Sequence, residues 1–104
     1  MREMLTVFLP KPARNLKRIT GICGIEGVER QYGRGVKIQT PTNTEYTFMK
    51  NQVLINYSDE QQEEIIKMLN RLIKLQKGVG IKVYNNHLKR KLVQALADER
   101  YNIL

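Results

Sequence analysis

The apolar residues of this chain change their spacing at Ser58, and that change constrains the fold more than any other feature. Before it, hydrophobic side chains recur every second residue in short runs; after it, every third or fourth. Two-residue spacing belongs to strands with one face inward, and 3.6-residue spacing to helices. The expectation is therefore an α+β chain, β-rich over 1–57 and helical over 58–104. Its 104 residues match one domain, and a hydrophobic fraction of 41% can fill one core.

In the front half, Met4 to Leu9 (MLTVFL) reads as a strand closed by Pro10 and Pro12, which cannot continue a ladder. Leu16 to Cys23 (LKRITGIC) alternates loosely and is expected to be extended, with Leu16, Ile19 and Ile22 inward. Gly35 to Gln39 and Glu45 to Asn56 follow, joined by the turn signal Thr40-Pro41-Thr42-Asn43. The second run keeps the two-residue beat on either side of Asn51. Glycines at 21, 24, 27, 33 and 35 mark bends in a small curved sheet. With these bends and the cadence V-x-I, Y-x-F, V-x-I, the stretch Ile19 to Ile55 resembles a small barrel of the SH3 or Sm type. The resemblance spans about a third of the chain. It implies a strongly bent antiparallel sheet followed by two amphipathic helices, and it carries over no functional residue.

Beyond Ser58, the residues Ser58-Asp59-Glu60-Gln61 have the form of a capping box. Ile65, Met68, Leu69, Leu72, Ile73 and Leu75 then form one apolar helix face, with a stop expected near Lys77 because Gly78 and Gly80 follow. Gly80 to Tyr84 reads as a short strand or an extended linker. A second helix is expected from His87 to Glu99, capped by Asn85 or Asn86, with Leu88, Leu92, Ala95 and Leu96 inward. The apolar tail Tyr101–Leu104 is expected to pack on the domain or on a partner, a second copy included.

Catalytic groups are scarce. His87 is the one imidazole and reads as a capping or exposed residue, while Cys23 sits among apolar residues and reads as a small buried side chain. A Cys23–His87 couple, with Asn85 or Asn86 as orienter, needs the fold to bring distant segments together. Asp59, Glu60, Glu63 and Glu64 suit the start of a helix, where its dipole favours acids. No phosphate loop of the Walker type occurs. A protein without enzymatic activity, cofactor or metal is expected. One cysteine and no leader-like or membrane-spanning apolar run point to a reducing, cytoplasmic setting.

Charge is the informative feature. Eighteen Lys and Arg against ten Asp and Glu leave +8. Leu5 to Ile25 holds four bases and no acid, and Ile65 to Ala97 holds eight bases and no acid. Lys67, Arg71 and Lys74 follow a four-then-three step and form a helical stripe. A stripe ~15 Å long matches several phosphate spacings. Lys89, Arg90 and Lys91 extend the basic character, and Arg30, Tyr32 and Arg34 make a second patch in which the ring can stack on a base. Tyr46 and Phe48 fit stacking or core equally. The expected function is nucleic-acid binding, DNA or RNA, or service as a ribonucleoprotein accessory factor, mainly through phosphate contacts. The alternative is a protein-interaction module that docks an acidic surface of a larger nucleic-acid-processing complex; a membrane surface is not expected, because bulky aromatics are missing beside the basic helix face.

Overall fold

Strands from both halves of the chain enter one sheet. The computed structural model describes residues 2–97 and 101–104. Its strands are β1 (Arg2–Phe8), β2 (Val28–Tyr32), β3 (Gly35–Gln39), β4 (Glu45–Phe48), β5 (Gln52–Ser58), β6 (Val79–Val83) and β7 (Tyr101–Ile103). They lie in the order β2-β3-β4-β5-β1-β6-β7, antiparallel throughout except for the β6–β7 pair. Helices α1 (Leu16–Cys23), α2 (Gln62–Leu75) and α3 (Asn86–Ala95) make the remaining elements. The α+β expectation holds. The closed barrel does not: β1 inserts between β5 and β6, and β2 and β7 remain as edges.

A second correction concerns the segment after β1. Leu16 to Cys23 is the helix α1, not an extended segment. Leu16, Ile19, Thr20 and Cys23 sit three and four residues apart, so one face of a helix collects them, and Ile22 is left exposed. The Asn15 side chain caps the start by accepting the Arg18 N–H at 3.1 Å. Gly24, left-handed at φ +71, ends it, with Gly24 N–H on the Gly21 carbonyl and Ile25 N–H on the Thr20 carbonyl. The sheet stays open because its end strands, β2 and β7, lie at opposite edges and do not pair.

β5 and β6 both run antiparallel to β1 and hence parallel to each other. The α2 connection therefore crosses over β1, and α3 makes a second crossover from β6 to β7. Crossovers of one hand in one direction leave their helices on the same face. α1 packs on α2, and α2 on α3, to complete that layer. Alternation then sorts each strand. Leu5, Val7, Val53, Ile55, Ile81 and Val83 face the helices and are buried. Met4, Thr6, Phe8, Leu54, Lys37 and Lys82 alternate with them and face away.

The capping box forms, with the Gln61 carboxamide accepting the Ser58 N–H at 3.0 Å, on a 3-10 turn (Asp59–Gln61) that leads into α2. α2 ends at Leu75, two residues short of the predicted stop, and buries Ile65, Met68, Leu69, Leu72 and Ile73. β6 settles the strand-or-linker alternative as a strand. α3 is capped by Asn85, whose side chain accepts the His87 and Leu88 N–H groups. It turns Leu88, Leu92 and Leu96 inward, while Ala95, expected inward, is exposed. The predicted end of that helix at Glu99 lies outside the described residues. The apolar tail packs as β7 beside β6, and the Leu104 N–H reaches the Ile81 carbonyl at 2.8 Å.

Two glycines should respond oppositely to alanine. A Cβ on Gly27 would come 2.1 Å from the Gln39 carbonyl oxygen, and backbone must move to admit it. Gly21 lies inside α1 with nothing within 4 Å of its Cβ position. Chemical denaturation should show Gly27→Ala destabilised by about 2 kcal/mol and Gly21→Ala stabilised by about 0.5–1 kcal/mol.

Candidate nucleic-acid interface

α1 and α2 run antiparallel, as their shared clefts show. One cleft, of about 390 Å³, joins Lys11, Arg14, Asn15 and Arg18 to Leu75 and Gln76. The other, of about 460 Å³, joins Cys23 and Gly24 to Met68 and Arg71. The beginning of α1 thus lies against the end of α2, and charge segregates along the pair. Glu60, Glu63 and Glu64 occupy the α2 start, where the dipole favours them. Glu64 is further used there: the hydroxyls of Thr42 and Thr44 donate to it at 3.0 and 3.2 Å, fastening the β3–β4 turn to the helix.

At the opposite end, Lys11, Arg14 and Arg18 line the cleft with Leu75 and Gln76, and no acid lines it. Lys17 belongs to the same first turn of α1, and Lys74 and Lys77 adjoin Leu75 and Gln76 in sequence. The positive end of the α1 dipole adds to this field, and its first turn contains no acid to offset it. Cations at a helix start oppose its stability, so folding alone does not favour them. Among the described residues the one ion pair is Lys37–Glu45 at 3.8 Å, and none of these six cations takes part in it. The Gln76 carboxamide, nearly buried, accepts the Lys11 N–H at 3.4 Å and holds the loop that presents Lys11 and Arg14.

The residues expected from sequence distribute unevenly. Lys67, Arg71 and Lys74 are all exposed on α2. Arg71 leans across the Gly24 end of α1, where a guanidinium suits the negative end of that helix. Lys89 and Arg90 line one groove with Asn86 and Val93, and Lys91 lies apart from them, because successive helical residues point about 100° apart. Lys91 turns toward α2 and donates to the Gln62 carboxamide at 2.9 Å, while half-buried Lys89 lies beside Val93 on another flank. Arg30 and Tyr32 lie on β2, on the sheet face remote from the helices, and Arg34 sits at the β2–β3 turn. Tyr46 and Phe48 are core side chains at 1% and 4% exposure. The sequence listed Lys11, Arg14, Lys17 and Arg18 only as an acid-free run; read with helical spacing, that segment places its cations against the α2 end.

The Cys23 and His87 elements flank α2 on opposite sides: α1 packs near Met68 and Arg71, α3 near Gln62 and Ile66. Cys23 is 3% exposed, and burial raises its thiol to about 11 against a smaller opposing pull from Arg71. Burial also holds the hydroxyls of Tyr46 and Tyr57 well above the ordinary tyrosine range, with nearby acids adding to the effect. Among the described residues no cluster of His, Cys, Asp or Glu is arranged to hold a metal ion, and no helix is long and apolar enough to cross a membrane.

Comparison with protein-family models, with curated proteins and with solved structures finds no match. The functional reading therefore rests on the charges and surfaces described above.

Cys23 gives a direct check on the packing of α1. Its alkylation should be slow in the native protein and fast in denaturant. Because the folded thiol keeps its proton where the unfolded one loses it, stability should fall as pH rises from about 9 to about 11. In urea titrations across that range, Cys23→Ala should flatten the decline.

Proposed function

We propose that this chain is a nucleic-acid-binding protein, a small accessory factor that grips phosphate backbone with the α1–α2 end of its helical layer. The observation that carries the reading is the cleft at the α1 start, lined by Lys11, Arg14 and Arg18 without an acid, with Lys17, Lys74 and Lys77 next in sequence to residues that line it. Lys67 and Arg71 lie further back along α2, in the second cleft, beside Glu60, Glu63 and Glu64. Cations held this way repel one another, and a polyanion removes that cost while releasing its own counterions. Contacts to phosphate fix position without reading bases, so sequence preference from this surface is weak. One buried free thiol accords with a reducing, cytoplasmic setting. No catalytic step and no cofactor enter the proposal.

Titration of the protein against a labelled duplex at several salt concentrations tests it. Five or six neutralised phosphates give a log–log slope of about −4 to −5. The triple variant Lys11→Ala, Arg14→Ala, Arg18→Ala should lose affinity at low salt and reduce the slope by about 2–3, with its melting temperature little changed. A native protein that binds neither duplex nor single strand at low salt would refute the reading and favour docking on an acidic protein surface.

A further inference from the structure

The helices cover one face of the sheet and leave the other bare, and that bare face has a chemistry of its own. The pairing registers align Arg30 with Lys37, Lys37 with Thr47, Thr47 with Leu54, Leu54 with Thr6, and Thr6 with Lys82. One row of side chains therefore runs across six strands, about 24 Å from β2 to β6 at a strand spacing of about 4.8 Å. Its ends are cationic. Its middle is uncharged: Thr47 and Thr6, both almost buried, stand on either side of the partly exposed Leu54.

An exposed tyrosine flanks each end. Tyr32, two residues from Arg30, has the Lys37 ammonium 4.6 Å from its ring centroid. Tyr84, two residues from Lys82, has the Lys82 ammonium 5.4 Å from its own. Both rings remain more than half exposed, at 53% and 58%. A lysine that braces one side of a ring leaves the other side open, and it places a phosphate partner next to a stacking surface. Glu45, the acid that alternation puts on this face, is occupied by Lys37.

We propose that this open face binds single-stranded nucleic acid, with unpaired bases stacked on Tyr32 and Tyr84 and the intervening backbone drawn along the Lys37–Lys82 row. Two cation-flanked rings joined by an uncharged middle meet the needs of a flexible polyanion with flat bases. Rigid duplex hides its bases from such rings. The proposal narrows the ligand class of the preceding section while resting on a different surface.

The test compares a labelled single strand of about 12 nucleotides, as RNA and as DNA, with a duplex. Tyr32→Ala and Tyr84→Ala, made singly and together, should weaken single-strand binding about tenfold per ring and leave duplex binding and the melting temperature nearly unchanged. Tyr32→Phe and Tyr84→Phe should retain native affinity, since a ring without its hydroxyl still stacks. Strand binding should quench tyrosine fluorescence in the native protein and less in the double variant. Single-strand affinity unchanged in the double alanine variant overturns the proposal, as does an equal loss for duplex. A change from dimer to monomer in the double variant, with strand binding intact, also overturns it and assigns the face to self-association. Strand binding that survives the Lys11, Arg14 and Arg18 substitutions but needs both rings would sustain this face while refuting the helical-end reading.

Discussion

Everything in this fold depends on β1 being hydrogen-bonded along both edges. It pairs β5 through Arg2–Phe8 and β6 through Leu5–Phe8. Leu5 and Val7 are wholly buried beneath the helices, and even Thr6 on the opposite face is nearly covered. One strand thus joins the antiparallel hairpins of the first half to the two crossovers of the second. The pairing also decides which side of the sheet stays bare: each crossover must lay its helix on the face that Leu5, Val7 and their neighbours fill.

That division produces a molecule with two unlike charged surfaces. In the helical layer, acids gather at the α2 start, where the dipole accepts them and Thr42 and Thr44 bind Glu64. The cations are left concentrated where α1 begins and α2 ends. On the sheet, alternation alone places the charges, and cations fall at the two ends of a cross-strand row. The net charge of +8 is thus not a uniform coat. It divides into a dense cationic end suited to backbone and a dispersed, ring-bearing face suited to bases.

How much of this was legible beforehand varied with the physics of each segment. α2 was read almost to the residue because its apolar face, its capping box and its acid-to-base gradient all point one way. The β3–β4 hairpin was legible from two-residue alternation around a clear turn, whereas Glu45 to Asn56 read as one run and is in fact two strands, β4 and β5, joined by a turn before Gln52. α1 was misread because Ile19 and Ile22 drew attention to a loose alternation, whereas Asn15, Thr20 and Gly24 carried the helical signal. That error hid the site as well: as an extended segment, Lys11 to Arg18 has no reason to approach the end of α2. Position along the chain also cannot show that β1 divides β5 from β6, since those pairings join residues about 50 and 80 positions apart and leave no local trace. Within the run Lys89-Arg90-Lys91, Lys89 and Arg90 line one groove while Lys91 reaches Gln62 of α2, a division that adjacency in sequence does not show.

The central place of β1 bears on how the chain is made. Leu5 and Val7 emerge from the ribosome well before Ile55, and longer still before Val83, the residues that shield them in the sheet. Until then this strand is an unshielded apolar segment, and the docking that secures it closes a long loop, which is slow. Synthesis of this protein therefore passes through a stage in which the strand that joins both halves of the sheet is still unshielded.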